Sequence, residues 1–192
     1  MSGQQQRGAP APLVARRRRY RNPTLHVVGL ALVFLVPGLV ISGLIEWASS
    51  TSHDEWSLFV SALIIGAVGA LVWSVTEISD DLGPGAVFSA VAWTWVACSV
   101  VGALPYLMSG MFPWQHWDSA LFESVSGFTT TGSTVLADIE AHGRGVLFWR
   151  QMTQWYGGMG MVVLAVTVLP FLGVGGLELI SAEAPGDSSD SR

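Results

Sequence analysis

Residues 24–45 carry no formal charge over 22 positions, and this run constrains the fold more than any other feature of the chain. A helix needs about 20 apolar residues to cross a hydrocarbon core of about 30 Å, so the run is long enough to span a bilayer. It follows Arg16, Arg17, Arg18, Arg19 and Arg21. Arginines before an apolar run also suit a cleaved signal peptide, but this run exceeds the about 7–15 residues of such a segment. Three further apolar runs follow, at about 56–76, 85–108 and 147–172. Only 12% of the 192 residues are charged, where a soluble domain carries about 25%. The expected class is an all-α integral membrane protein, and an anchor is favoured over a cleaved signal.

The punctuation between the runs fits that class. Pro37-Gly38 marks a point where the first span, 26–47, can kink among neighbouring helices. Residues 46–55 read as a short acidic loop between the interfacial aromatics Trp47 and Trp56. Gly66 and Gly69 offer the second span a small face for close helix contact. Asp80 and Asp81 can cap and Pro84 can start the third span. The single Cys98 lies in an apolar run, permits no internal disulfide and reads as a packing residue.

The five-arginine cluster places the N-terminus in the cytoplasm by the positive-inside rule. Residues 1–23 then form a disordered basic cytoplasmic tail and 24–81 a transmembrane helical hairpin. Residues 82–176 form a helix–pore loop–helix unit whose loop enters from outside, and 177–192 a polar cytoplasmic tail.

Within that unit, residues 118–134 (Asp-Ser-Ala-Leu-Phe-Glu-Ser-Val-Ser-Gly-Phe-Thr-Thr-Thr-Gly-Ser-Thr) are too polar and too short to cross a bilayer. Asp118 reads as an N-cap, and Leu121, Phe122 and Val125 as the spaced apolar contacts of a short helix ending near Gly127. Ten residues give about 15 Å, half of a hydrocarbon core. The hydroxyl-rich 129–134 suits an extended backbone, with Gly132 free to take positive φ. A half-length helix followed by extended backbone between long apolar runs reads as a re-entrant pore loop, tolerated at membrane depth only against protein or water.

The chemistry expected there is cation selection. A dehydrated monovalent cation needs several oxygens, and neutral carbonyls hold it weakly enough to release it. The short helix aims its partly negative C-terminus at the same point. No Asp or Glu falls between Ser124 and Ala137, which argues against a divalent-cation site. Glu123 reads as a structural hydrogen-bonding group behind the filter, with direct ion attraction as the alternative. Arg150 reads as an interface anchor or as a partner of Glu123, Asp138 or Glu140. Gly157-Gly158-Met159-Gly160 reads as a packing or flexing point. A phosphate loop is disfavoured because Ser133 stands where its lysine would be, and His26, His53, His116 and His142 show no metal-ligand spacing. No paired carboxylate or nucleophile–base set suggests an enzyme, and nothing suggests a nucleic-acid partner.

Residues 122–134 (Phe-Glu-Ser-Val-Ser-Gly-Phe-Thr-Thr-Thr-Gly-Ser-Thr), 148–160 (Phe-Trp-Arg-Gln-Met-Thr-Gln-Trp-Tyr-Gly-Gly-Met-Gly) and 164–170 (Leu-Ala-Val-Thr-Val-Leu-Pro) resemble the Trk/Ktr/HKT superfamily of potassium transporters. The resemblance is nearest to the membrane subunit of the bacterial Trk system. It implies potassium uptake across a bacterial plasma membrane, with two extra N-terminal helices before the first of four pore units. It assigns potassium coordination to backbone carbonyls of Thr130, Thr131, Gly132 and Ser133. It also implies that Gly132 goes with potassium rather than sodium, and that a cytoplasmic nucleotide-binding gating subunit serves the complete system. This chain holds one such unit, so a fragment or truncated subunit is expected, with a homo-oligomer or separate chains as ways to complete the pore. A non-conducting assembly or regulatory fragment is the alternative function.

Overall fold

The computed structural model describes residues 20–49, 55–78 and 84–168. The expected N-terminal tail up to residue 19, the caps at Asp80 and Asp81, and everything past 168 lie outside the described residues. Among the described residues the fold is all-α apart from one parallel pairing of Tyr20–Arg21 (β1) with Thr76–Glu77 (β2).

Helix α1, Pro23–Ser49, and helix α2, Glu55–Val75, form an antiparallel hairpin. The β1–β2 pairing ties the start of one to the end of the other. Small residues set their crossing. A Cβ built on Gly69 would lie 3.0 Å from the Gly29 carbonyl oxygen, and one on Gly29 would lie 2.7 Å from the Trp73 nitrogen. In lipid, where apolar contact between helices brings no hydrophobic gain, such close backbone approach supplies the packing. Pro37 does not end α1, which runs on for three more turns. Glu46, expected in a loop, lies in the last turns of α1 and is only 1% exposed.

The third run is not one helix. Helix α3 spans Pro84–Gly102 and a short helix α4 spans Leu104–Met108. Pro105 has no N–H to continue the ladder, and its ring crowds the carbonyl four residues back. A 3-10 turn at Trp114–His116 follows Pro113 and runs straight into α5, Trp117–Phe128. That turn moves the helix start upstream: His116 occupies the N-cap and Asp118 sits exposed in the first turn without capping.

Of the apolar contacts expected of α5, Leu121 is half-buried and the other two face outward. Phe122 and Val125 are exposed, whereas Glu123, Ser124, Ser126 and Gly127 are buried. The buried face also holds Ala120 and Phe128, and its Glu123 and Ser126 bond the main chain of residues 133–135.

Helix α6, Arg144–Val168, begins three residues before the expected span. Among the described residues three stretches are long and apolar enough to cross a membrane: Pro23–Ser49, Trp56–Val75 and Gly85–Met108. Helix α6 is 25 residues long but carries Arg150, Gln151, Thr153 and Gln154. The core is built from Leu32, Leu35, Leu39, Leu58, Ile65, Tyr106 and Trp149. Leu63, Leu71, Trp93, Val162 and Val166 stay exposed, an apolar exterior suited to lipid.

Candidate functional site

The site starts where α5 stops. Thr130 N–H donates to the Gly127 carbonyl at 2.8 Å and Thr131 N–H to the Ser126 carbonyl at 2.9 Å. This pair of bonds is a Schellman closure, whose left-handed position glycine usually takes. Here Thr130 takes it, with φ of 56°. A β-branched residue at positive φ is strained, and such strain persists only where surrounding contacts hold it. Gly132 follows at φ 75°. Two left-handed residues around Thr131 turn the main chain away from the helix axis and into an irregular extended segment.

Three residues brace that segment from behind. Ser126 accepts Thr131 N–H and Gly132 N–H (3.4 Å) at its carbonyl, and its hydroxyl donates to the Ser133 carbonyl at 2.6 Å. Glu123 accepts Val135 N–H at 2.8 Å and the Thr134 hydroxyl on one carboxylate oxygen. Its other oxygen accepts Arg150 Nε at 2.9 Å, both side chains being buried. Arg150 Nη2 also reaches the Gly132 carbonyl at 3.5 Å. A buried carboxylate needs such pairing, because an unpaired ion at this depth loses its hydration without return.

The expected ligands divide into two kinds. Among the described residues the carbonyls of Thr130 and Thr131 accept no hydrogen bond, and both residues are exposed. The carbonyls of Gly132 and Ser133 accept bonds from Arg150 and Ser126, each keeping a second lone pair. The hydroxyls of Thr129 and Thr131 bond to each other at 2.8 Å, and that of Thr130 donates to the Thr129 carbonyl at 2.7 Å. The threonine side chains therefore stiffen the segment.

Helix α6 packs directly against the bend. A Cβ on Gly157 would run into the Phe128 carbonyl group, whereas one on Gly158 would sit 3.9 Å from Thr130 Cγ2. Within the glycine motif Gly157 is the close-approach position. One turn earlier on the same face of α6, Thr153 meets Gly127, and its hydroxyl is bonded to the Arg150 carbonyl at 2.7 Å.

Of the anticipated residues, the structure brings together Glu123, Arg150 and the four of 130–133, and leaves Asp138 and Glu140 exposed in the loop beyond. Sequence reading overlooked Ser126 and Glu46. Ser126 lies three positions after Glu123, on one helix face, a signal that was available. Glu46 was masked by the acidic residues that follow it.

A half-length helix, a braced extended segment with free carbonyls and a long returning helix define the class: a pore-loop membrane protein of the cation-transport type. The family described as "TrkH: Cation transport protein" matches residues 56–191, and the chain belongs to that family. It is 38% identical over 169 residues to the Trk system potassium uptake protein TrkH of Escherichia coli K12, covering 87% of this chain and 34% of that one. Similarity to the Trk system potassium uptake protein TrkI of Halomonas elongata is 37% over 162 residues, 84% of this chain and 31% of the relative. The crystal structure of the potassium transporter TrkH from Vibrio parahaemolyticus superposes with a TM-score of 0.70 at 28% identity, over 81% of this chain and 33% of that one. The chain spans about one third of the length of the curated relatives it matches.

Proposed function

We propose that this chain forms one wall of a potassium-selective pore used for potassium uptake across a bacterial plasma membrane. The observation that carries the reading is the braced, exposed main chain at 130–133, whose Thr130 and Thr131 carbonyls accept no hydrogen bond among the described residues. An entering potassium ion sheds water and takes those two oxygens, with Gly132 and Ser133 contributing their second lone pairs. Because the ligands are neutral dipoles, the ion leaves as readily as it enters. Glu123 does not face the ion, since Arg150 and the filter main chain occupy its oxygens. The site therefore lacks the carboxylates that a divalent cation requires. The potassium uptake named for the relatives agrees with this reading.

One wall cannot surround an ion. The remaining walls come from further pore units, in other chains or in copies of this one. The exposed Phe122 and Val125 of α5 suit contact with such neighbours. The arginine cluster before α1 puts both termini in the cytoplasm and opens the filter outward. A nucleotide-binding gating subunit would act from the cytoplasmic side, and the chain works as a transport subunit rather than an enzyme.

The test is growth of a bacterium lacking its own potassium uptake, at limiting potassium. Rescue by the chain alone shows a pore made of copies, and rescue only with further pore units shows a partial wall. Gly132→Asp, which adds a charge and a side chain at positive φ, abolishes rescue in either arm. Growth that survives Gly132→Asp overturns the filter, and failure in both arms favours a non-conducting assembly role.

A further inference from the structure

Glu46 belongs to α1, in the helical hairpin that precedes the pore unit, yet it ends at the pore unit. Its carboxylate accepts Gly145 N–H at 2.5 Å, at the second residue of α6, and the side chain is 1% exposed. The fit is close on two sides. A Cβ on Gly143 would lie 2.6 Å from one carboxylate oxygen, and one on Gly145 would lie 2.6 Å from Glu46 Cβ. Glycine at both positions lets the carboxylate reach the open N–H groups of the helix start, where a negative charge also meets the positive end of the helix dipole.

The same helix then makes two more fixed contacts within two turns. Trp149, fully buried, donates its indole N–H to the Gly102 carbonyl of α3 at 3.2 Å. Arg150 holds Glu123 and reaches the Gly132 carbonyl. Gly145 and Arg150 are five residues apart, about 7.5 Å along a helix. The start of α6 and the guanidinium that holds Glu123 therefore lie on one continuous helix.

From this geometry we infer that Glu46 is a positioning residue for the filter: it fixes the start of α6 and, through Arg150, the spacing of the Gly132 and Val135 main chain. The inference rests on the pore reading above for its effect on selectivity. Its structural half stands apart from that reading. It assigns the hairpin a part in filter geometry beyond anchoring the chain in the bilayer.

The test compares the chain in lipid nanodiscs with its Glu46→Gln and Glu46→Asp variants. Gln keeps the reach and an acceptor for Gly145 N–H, while Asp keeps the charge and withdraws the acceptor by one methylene. Hydrogen exchange in α1 and α2 reports folding, and exchange at the Thr131 and Val135 amides reports the filter. Asp is expected to speed exchange at those two amides by about tenfold, the scale of one lost hydrogen bond to a charged group, with the hairpin unchanged. Gln is expected to have a smaller effect. The preference for potassium over sodium in uptake assays should fall in the same order. If Asp lowers hairpin protection, Gly143→Ala repeats the test, because its methyl group would meet the Glu46 carboxylate and no α1 main chain. Unchanged Val135 exchange in these variants, or a change confined to 143–146, overturns the inference. Uptake that survives Gly132→Asp instead removes the pore reading, and the exchange data still decide the role of Glu46.

Discussion

Arg150 and Glu123, 27 positions apart, meet at 2.9 Å, and each also bonds main chain within residues 132–135. The pair is buried, so it is a poor source of net stability compared with apolar packing but a strong determinant of geometry. A charge that must be paired can sit in only one place, and that place sets where residues 132–135 lie.

Removing one partner should therefore be worse than removing both. Arg150→Met leaves Glu123 buried and unpaired, with an expected loss of about 3–5 kcal/mol. The double variant Arg150→Met with Glu123→Met is expected to lose less than the sum of the single changes. Thermal stability of the purified proteins in detergent, arranged as a double-mutant cycle, measures the coupling. Additive losses would show that the two side chains act independently.

Ser126 is the hinge of the brace. Ser126→Ala removes the hydroxyl bonded to the Ser133 carbonyl at 2.6 Å and leaves the bonds to Thr131 and Gly132 N–H intact. The expected stability change is about 1 kcal/mol. The larger consequence is a Ser133 carbonyl released toward the ion path, read as a reduced preference for potassium over sodium in uptake competition.

The strain at Thr130 gives opposite expectations for neighbouring threonines. Thr130→Gly relieves a β-branched residue at φ 56° and should raise thermal stability, since strain of this kind is worth about 1–3 kcal/mol. Thr131→Gly relieves nothing, adds backbone freedom and removes the hydroxyl bonded to Thr129, so it should lower stability by about 1–2 kcal/mol. Two melting curves suffice, and a loss of stability in Thr130→Gly would mean that its side-chain contacts outweigh the strain.

Adjacent glycines of α6 should likewise separate. Gly157→Ala drives a methyl group into the Phe128 carbonyl and is expected to cost about 1–3 kcal/mol or to displace the helix. Gly158→Ala has room beside Thr130 Cγ2 at 3.9 Å and gains helix propensity, so it should be neutral or stabilising. Expression yield and melting temperature of the two variants decide between them.

Residue order alone determined the membrane class, the helical hairpin, the half-length helix and the irregular extended segment that follows it. Each follows from local quantities: run length against bilayer thickness, glycine and proline as breaks, and a hydroxyl-rich stretch without carboxylates. What lay beyond local reach was which face of α5 turns inward. Phe122 and Val125 look like core in a sequence written for water, but here the exterior is apolar, and Glu123 and Ser126 turn inward and bond the main chain of residues 133–135. The burial of Glu46 beneath α6 likewise depends on a partner 99 positions along the chain, whereas the break at Pro105 and the turn that displaces the Asp118 cap are local. Periodicity shows that a face exists. Only the tertiary structure decides which of its groups find partners: Glu123 and Ser126 do, while the buried Ser124 hydroxyl has none among the described residues.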